Sequence, residues 1–253
     1  MNRAFPTIEI LGIPFARLDP AAALEQAERL YERELPAMVA HANVHTLNLT
    51  VEDPAYREVL RAADMVLNDG KGVMLGARLL GEGFPHDLNG NFFTPLVVAR
   101  AVEREWPIYL LGAKPGVAEK LAGVLRAIHP TIRIAGHHHG HFSGEEEPEV
   151  VVAIREVGTG LLLVGMGNPY QERFLARRLT ESGARLGIGV GAYFDFMTET
   201  VPRSPDWMNR YGLEWVHRLS MEPKRLWRRY LIGNPAFIAR VLKQRRLASR
   251  SHG

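Results

Sequence analysis

Cysteine is absent from the 253-residue sequence. Its absence excludes disulfide bonds and cysteine-ligated zinc sites, and it is consistent with a reducing compartment. Long apolar runs are missing as well, since no stretch approaches the roughly 18 apolar residues that a membrane-spanning helix needs. The N-terminal residues lack the organisation of a signal peptide. We therefore expect a cytoplasmic protein with an ordinary hydrophobic core, in keeping with a hydrophobic content of 46%.

Motifs that bind metal ions are equally scarce. The sequence has no Asp-x-Asp pair, a pattern through which many enzymes hold Mn²⁺ or Mg²⁺. The stretch HHHGH at residues 137–141 is rich in potential ligands, but neighbouring histidines rarely converge on one ion, and zinc needs three or four converging ligands. We interpret this stretch as a polar loop, and we predict neither a metal ion nor any other cofactor.

Charge is distributed unevenly along the chain. Residues 201–253 contain 12 basic and three acidic residues, a net charge of +9, whereas residues 1–200 contain 19 basic and 25 acidic residues, a net charge of −6. A basic segment of this kind suggests an anionic partner. Nucleic acid, an anionic lipid surface and a diphosphate are the candidates.

The first 200 residues alternate short β-like runs with helical patterns. The strand candidates are Thr7–Ile10, Ala37–Ala40, Met65–Leu67, Ile108–Leu111, Ile132–Ala135, Gly160–Val164 and Arg185–Val190. The main helical candidates are Pro20–Glu34, Pro54–Ala63, Thr94–Arg104, Gly116–Ile128 and Tyr170–Thr180. Such alternation predicts an α/β, Rossmann-like fold with a mostly parallel sheet and helices on both faces. Ligands bind beyond the carboxyl ends of the strands in such folds.

The sequence changes character after residue 200, where three of the four tryptophans lie. The Gly-Asn-Pro segment at 233–235 predicts a turn between short helices. Three arginines share one helical face, because they follow the spacing i, i+3, i+4: Arg225, Arg228 and Arg229. We predict a catalytic body over residues 1–200 and a basic helical appendage over residues 201–253. The appendage fits either a solvated surface helix or an element that contacts anionic headgroups.

Four glycine-rich turns follow predicted strands. VLNDGKG carries Asp69, LLLVGMGNPYQERF carries Gly167 and Gln171, IYLLGAKPG carries Gly112, and LGIGVGAYFDF carries Asp195. Glycine lets a ligand approach the backbone, and a helix that starts at such a turn presents free N–H groups to an anion. Each feature also has a structural interpretation: a turn or N-cap for Asp69, an exposed first-turn residue for Gln171, and a backbone-bonded carboxylate for Asp195.

Taken together, the motifs resemble the WecG/TagA/CpsF glycosyltransferase family. The resemblance extends from about Asn43 to about Ile238. It depends on HANVHTLNL, AADMVLNDGKGVMLGARLLG, YLLGAKPGVAEKLAGVL, LLLVGMGNPYQERFL, GIGVGAYFDFMTETVPRSPDWM and GLEWVHRLSMEPKRLWRRYL, in this order. The last two are highly specific in combination.

The resemblance implies an inverting, metal-independent transferase. It would pass a hexose or N-acetylhexosamine from a UDP-sugar to a polyprenyl-diphosphate-linked sugar, in the synthesis of a bacterial surface polysaccharide such as an exopolysaccharide or a teichoic acid. The enzyme would be peripheral on the inner face of the cell membrane, with the anionic membrane surface as a partner. Nucleic acid is not an expected partner. The sequence leaves open whether the protein forms a homo-oligomer. Without a metal ion, cationic side chains would stabilise the leaving diphosphate.

The resemblance also assigns roles to residues. Asp69 is the expected general base, since a carboxylate within hydrogen-bond reach can take the proton of an acceptor hydroxyl, and Gln171 is the second catalytic candidate. The candidates for binding the donor or substrate are His41, Asn43, Asn89, Gly112, Gly167 and Asp195. The candidates for contact with the acceptor diphosphate and the membrane are Arg218, Arg225 and Arg228.

Three positions depart from the family pattern. His41 stands where relatives often have Thr, Asp87 where Arg is common, and Phe92 where Asp is common. These positions lie near the expected sugar pockets, so the identities of the donor and acceptor sugars stay open. Glucose or another hexose is as consistent with the sequence as N-acetylmannosamine.

Two other functions fit parts of the sequence. Gly165 and Gly167 suggest a nucleotide-cofactor-dependent oxidoreductase, although a tyrosine occupies the third glycine position of the dinucleotide fingerprint. The basic appendage alone fits a non-enzymatic regulator that binds an anionic membrane or nucleic acid. That interpretation leaves Asp69, Gln171 and Asp195 without a role.

Overall fold

The structure, a computed structural model, describes residues 4–200, 208 and 214–250, without the side chains at 214, 217, 218, 225 and 250. The described strands are β1 (Thr7–Ile10), β2 (Ile13–Ala16), β3 (Ala37–Ala42), β4 (Met65–Asn68), β5 (Ile108–Gly112), β6 (Ile134–His138), β7 (Leu161–Gly165) and β8 (Leu186–Gly189). The helices before residue 200 are α1 (Pro20–Glu32), α2 (Val44–Glu52), α3 (Pro54–Ala62), α4 (Lys71–Leu79), α5 (Gly90–Glu103), α6 (Val117–Ile128), α7 (Glu147–Glu156), α8 (Tyr170–Arg178) and α9 (Tyr193–Met197). After residue 213 the chain forms α10 (Glu214–Met221), α11 (Pro223–Trp227), a π-turn (Arg228–Ile232) and α12 (Gly233–Arg250).

Six parallel strands form the central sheet, in the order β4-β3-β8-β7-β5-β6. The first two strands, β1 and β2, form a separate antiparallel hairpin that packs beside β4. Because all six central strands point the same way, their carboxyl ends meet at one edge of the sheet. The predicted α/β, Rossmann-like architecture is confirmed.

Helices cover both faces of the sheet, so the core consists of two apolar layers. On β7, Leu161 and Leu163 face one layer, while Leu162 and Val164 face the other. The first layer is completed by α1, α5, α6 and α9, and the second by α2, α3, α4, α7, α8 and the hairpin. Burial on both faces explains why the inner strands β5 and β7 are continuous apolar runs in the sequence rather than alternating patterns.

The C-terminal helix α12 packs against the body. Phe237 and Val241 are fully buried in the second apolar layer. The Phe237 ring lies over Gly76 of α4, where a Cβ atom would come within 2.6 Å of the ring. Asn48 of α2 donates a hydrogen bond to the carbonyl of Gly233 at 2.7 Å. The region after residue 200 therefore supplies part of the core, and its separate role in acceptor and membrane binding stays a prediction.

Two local predictions differ from the structure. The turn predicted at 233–235 is wrong, because α12 begins at Gly233 and continues the π-turn. Pro235 is the third residue of α12, so the proline does not interrupt this helical path. The polar loop predicted at 137–141 starts later than expected, because β6 extends to His138 by pairing with β5. Among the described residues, no helix is both long enough and apolar enough to cross a membrane.

Candidate active site

The carboxyl ends of β3 and β4 bring Asn43 and Asp69 into contact. Ala42 pairs with Asn68 across these parallel strands, so the two residues that follow them lie side by side. The Asn43 Nδ2 amide donates to Asp69 Oδ2 at 3.1 Å. The Asn43 Oδ1 atom accepts from the Thr46 N–H at 3.1 Å and caps α2. The helix cap therefore orients the amide, and the amide holds the carboxylate.

The turn after Asp69 is built by glycine and by the loop that precedes α5. Gly70 has a φ of +93°, a conformation that favours glycine. Gly70, rather than Asp69, occupies the N-cap position of α4, and no side chain caps this helix. The Asp69 carboxylate is thus free of the capping role considered above, and it lies beside the N-terminus of α4.

Asp87 lies close enough to Asp69 for the two charges to interact. Burial raises the pKa of Asp87, and the negative charge of Asp69 raises it further, while a hydrogen bond from the Gly70 N–H opposes the rise. That hydrogen bond, to Asp87 Oδ1, is 2.9 Å long. Asp69 and Asp87 therefore place two acidic groups side by side, and this part of the site is rich in hydrogen-bond acceptors.

His41, on β3, is buried within the sheet edge and is 4% exposed. Its Nδ1 lies 2.9 Å from the carbonyl oxygen of Gly189, which can only accept, so Nδ1 carries the proton. Burial lowers the pKa of the ring, against the raising effects of the Gly189 hydrogen bond and of the Asp69 and Asp87 charges. The neutral ring therefore ties β3 to β8. A direct contact between His41 and a substrate stays a prediction.

A chain of buried hydrogen bonds lies between α8 and the turn after β8. Gln171 Oε1 accepts from the Gly191 N–H at 3.0 Å, and Gln171 Nε2 donates to Glu172 Oε1 at 2.7 Å. Glu172 also accepts from Asn168 Nδ2 at 2.7 Å and from the Tyr56 hydroxyl at 2.9 Å. Gln171 is buried, unlike the exposed first-turn residue considered above. The hydrogen bond from Gly191 fixes Gln171 against the turn that leads into α9. A catalytic role for Gln171 stays a prediction.

Glu172 is a buried carboxyl group that sequence reasoning missed. Burial raises its pKa to about 7, although hydrogen bonds from Gln171, Tyr56 and Asn168 favour the charged form. Burial, and then the charge of Glu172, raise the pKa of Tyr56, so the tyrosine keeps its proton and donates it. An acidic residue in the first turn of a helix is commonly exposed. Only the packing of α8 on α3 shows that this one is enclosed.

Gly112 and Gly167 make close approaches possible at the strand ends. A Cβ atom at position 112 would lie 2.4 Å from the carbonyl oxygen of Gly165, so β5 and β7 could not end side by side with a larger residue there. Gly167 has a φ of +75°, and its carbonyl accepts from the Gln171 N–H at 3.0 Å as α8 begins. The backbone geometry alone explains why glycine occupies both positions. Contacts of Gly112 and Gly167 with a phosphate stay predictions.

Asp195 and Asn89 lie at the starts of two helices on the same edge. Asp195 is half-buried in the first turn of α9, directly after the turn that Gln171 braces. Asn89 caps α5 by accepting from the Phe92 N–H at 3.1 Å. A Cβ atom on Gly90 would come within 3.0 Å of a backbone carbonyl of the β8 turn. The fold thus places both predicted binding residues at the carboxyl edge of the sheet, together with Asp69.

The basic C-terminal region approaches the site from the side of α2. His45 is the second residue of α2, and its pKa is lowered to about 4 by burial and then by the charge of Arg229. Arg229 therefore lies close to the helix that Asn43 caps. No pattern in the sequence distinguishes Arg229 from the neighbouring arginines. Arg228 is exposed and lies over the ring of Trp227, 5.3 Å from its centre. The predicted arginines whose side chains lie outside the described part of the chain are Arg218 and Arg225.

Exposed apolar side chains accompany these arginines. The members of this group, which we call the C-terminal apolar patch, are Met221, Trp227, Leu231 and Ile232. The patch and the arginines share α10, α11 and the π-turn. A surface that combines exposed apolar and basic side chains is typical of an element that contacts an anionic lipid interface.

A carboxylate at the carboxyl edge of a parallel sheet, held by an amide beside a helix N-terminus, lies where α/β enzymes bind their ligands. The sequence profile of the Glycosyl transferase WecG/TagA/CpsF family matches residues 8–251. The chain belongs to this family and is a glycosyltransferase, as the resemblance predicted. Within the described residues, no group of three or more His, Asp or Glu side chains could hold a metal ion.

Individual relatives cover nearly the whole chain. One is the N-acetylglucosaminyldiphosphoundecaprenol N-acetyl-beta-D-mannosaminyltransferase of Bacillus spizizenii, which is 31% identical over 85% of this chain and 82% of its own. Enzymes of the same name from Bacillus subtilis and Staphylococcus aureus are 27% and 26% identical. The alignments cover 94% of this chain in both cases, and 92% and 93% of the respective relatives.

Proposed function

We propose that the protein transfers a hexose or N-acetylhexosamine from a UDP-sugar to the terminal sugar of a polyprenyl-diphosphate-linked acceptor, with inversion at the anomeric carbon. The observation that carries this proposal is the contact between Asn43 and Asp69 at the carboxyl edge of the sheet. The names of the relatives support a lipid-diphosphate acceptor and an N-acetylhexosamine as the transferred group. The uridine nucleotide is an inference from the family resemblance.

The proposed reaction is a single displacement. Asp69 takes the proton of an acceptor hydroxyl while that oxygen attacks the anomeric carbon of the donor sugar. The bond between the anomeric carbon and the diphosphate oxygen breaks on the opposite face, and UDP leaves with the bonding electron pair. Asn43 keeps the carboxylate oriented toward the nucleophile. The glycine turns and Asp195 bind the nucleotide in this mechanism.

Positive charge near the diphosphates replaces a metal ion in this proposal. The chain has no Asp-x-Asp pair, whereas arginines are concentrated in the C-terminal region. Arg229 lies near enough to the start of α2 for its charge to lower the pKa of His45, and helix N-termini at the strand ends add partial positive charge. Cationic groups aimed at the developing negative charge lower the barrier without a metal ion.

The same region supports peripheral attachment to the inner face of the cell membrane. The C-terminal apolar patch and its arginines present apolar and positive groups together. Each basic residue near an anionic lipid surface contributes roughly 1 kcal/mol, and residues 201–253 have a net charge of +9. Attachment would place the site beside a lipid-linked acceptor.

A donor panel with a synthetic polyprenyl-diphosphate acceptor tests the proposal. The protein is incubated with a GlcNAc-diphosphate lipid and with one donor at a time: UDP-glucose, UDP-N-acetylglucosamine or UDP-N-acetylmannosamine. The masses of the products are measured by mass spectrometry. We expect one added sugar from one of these donors. Asp69→Asn should lower kcat about 100-fold or more, while UDP affinity stays within about twofold.

The matched control is Glu156→Gln, which neutralises an exposed carboxylate at the end of α7. It should keep wild-type activity. If no donor yields a product with the wild-type protein, the substrate assignment is wrong. If folded Asp69→Asn transfers sugar at the wild-type rate, Asp69 is not the base.

A further inference from the structure

Two aromatic rings near Asp69 have no role in the mechanism above. His86 and Phe92 are stacked, with 4.5 Å between ring centroids and 29° between ring planes. Phe92 is 37% exposed although it is large and apolar. It lies in the first turn of α5, at the edge of the sheet where the site is formed. We call this pair the aromatic ledge.

Two hydrogen bonds fix the loop of the aromatic ledge against the turn that contains Asp69. Asn68 Nδ2 donates to the carbonyl oxygen of His86 at 3.0 Å. The Gly70 N–H donates to Asp87 Oδ1 at 2.9 Å. The residues directly before and after Asp69 are therefore both bonded to the loop that carries His86. The ledge and the base keep a fixed relative position.

The charges around the ledge decide which part of a substrate it can accept. Asp69 and Asp87 carry carboxyl groups next to it, and the charge of Asp69 contributes to the raised pKa of Asp87. Lys71 is a nearby cation whose charge acts in the opposite direction on Asp87, so two carboxyl groups face one positive charge. A diphosphate placed there would be repelled by Asp69. The basic groups that suit a diphosphate, including Arg229, approach from α2 instead. The ledge thus suits an uncharged group.

A pyranose ring matches an aromatic face. The face of an aromatic ring is electron-rich, and the C–H groups on one side of a sugar carry partial positive charge. A ring in the gluco configuration presents its axial hydrogens to such a face and leaves its hydroxyl groups at the rim. Hydroxyl groups at the rim of the ledge would meet the acceptor-rich surroundings of Asp69 and Asp87, where each can donate a hydrogen bond.

We propose that the aromatic ledge is the subsite for the terminal, uncharged sugar ring of the acceptor, which stacks on Phe92 and thereby presents a hydroxyl group to Asp69. This inference rests on the proposed function, because it assumes a lipid-linked sugar as the acceptor. It adds the class of that sugar: a neutral pyranose with one face free of axial hydroxyl groups. The Asp69 carboxylate would repel the charged carboxylate of a uronic acid there.

Variants at Phe92 test the ledge through a split between the kinetic constants of acceptor and donor. Phe92→Ala and Phe92→Leu should raise the acceptor KM about tenfold, as expected for the loss of a stacked ring, with the donor KM unchanged within twofold. Phe92→Trp should keep the wild-type acceptor KM. Leucine retains apolar bulk without a ring face, so it separates stacking from simple packing. Ile128→Ala, an exposed apolar residue at the end of α6, is the control and should have no effect.

A binding measurement supplies a readout that does not depend on turnover. Saturation-transfer NMR with a short-chain alkyl GlcNAc-diphosphate should show transfer to the sugar ring protons with the wild-type protein and much less with Phe92→Ala. The corresponding alkyl diphosphate without a sugar should bind both proteins equally. Equal loss of both ligands, or a raised donor KM alone, would overturn the assignment of the ledge to the acceptor sugar.

The two levels of the proposal fail in different ways. If the wild-type protein transfers sugar and Phe92→Ala or Phe92→Leu does so with unchanged acceptor KM, the ledge has no role in sugar binding and the transferase proposal stands. If the wild-type protein transfers no sugar to any lipid-linked acceptor, the transferase proposal itself is wrong. A fall in the melting temperature of Phe92→Ala and Phe92→Leu, with proportional loss of donor and acceptor binding, would assign Phe92 a structural role only.

Discussion

Replacing Glu172 with glutamine should stabilise the protein at alkaline pH and change its stability little at acidic pH. In the folded protein burial raises the pKa of this carboxyl group to about 7, compared with the ordinary value of 4.5. Below pH 4.5 the group is protonated in both the folded and the unfolded chain. Between pH 4.5 and 7 the folded state binds more protons than the unfolded state, so the free energy of unfolding decreases as pH rises.

The size of the effect follows from the two pKa values. Their difference corresponds to on the order of 3 kcal/mol, which the wild-type protein loses progressively from about pH 4.5 to 7. Glutamine is neutral throughout this range. Its oxygen can accept from Gln171 and Asn168, and its amide can donate to the hydroxyl oxygen of Tyr56, so the hydrogen-bond chain can persist.

Thermal denaturation of Glu172→Gln and the wild-type protein at pH 5, 6, 7 and 8 checks this expectation. In a protein of this size 1 kcal/mol corresponds to about 2–4 °C in Tm. The Tm advantage of the variant should therefore be about 5–10 °C larger at pH 8 than at pH 5. Glu156→Gln, at an exposed site, should show no such trend. A Tm difference for Glu172→Gln that is the same at every pH would refute the reasoning.

Three further predictions concern the C-terminal region and the leaving group. Phe237→Ala should lower the free energy of unfolding by about 3–5 kcal/mol, because it removes a fully buried ring from the second core layer; a urea-unfolding midpoint equal to that of the wild type would contradict this packing. Activity should persist in EDTA, since the proposed mechanism uses cationic side chains; abolition by EDTA with rescue by Mn²⁺ would show that a metal ion is needed. The double variant Arg228→Glu/Arg229→Glu should weaken binding to anionic vesicles and reduce its salt sensitivity; unchanged co-sedimentation would remove these arginines from the membrane surface.

The sequence was sufficient for the architecture because burial on both faces of a parallel sheet leaves continuous apolar runs. Six of the seven predicted strands form that sheet, and the seventh belongs to the hairpin. The position of Asp69 was also predictable, since it directly follows β4. Element starts were less certain: α5 begins at Gly90 rather than at the predicted Thr94, because Asn89 caps it one turn earlier.

The missed features depend on tertiary packing. Glu172 has the sequence signature of an exposed first-turn acid, and only the packing of α8 against α3 encloses it. The π-turn at Arg228–Ile232 carries the helical path past a Gly-Asn-Pro segment that favours a turn. The proximity of Arg229 to His45 likewise depends on how α12, which follows the π-turn, packs on α2. No local pattern encodes these contacts.

The double use of Asn43 restricts which residues that position can tolerate. Aspartate would cap α2 as well as asparagine does, but it has no N–H group for Asp69 and would add a repelling charge. Serine and threonine also cap helices, yet their side chains are too short to reach the Thr46 N–H and Asp69 together. A mutation that is harmless to the helix would thus release the Asp69 carboxylate, the proposed base, from its orientation. If Asp69 is the base as proposed, catalysis restricts position 43 to asparagine even where folding alone allows several residues.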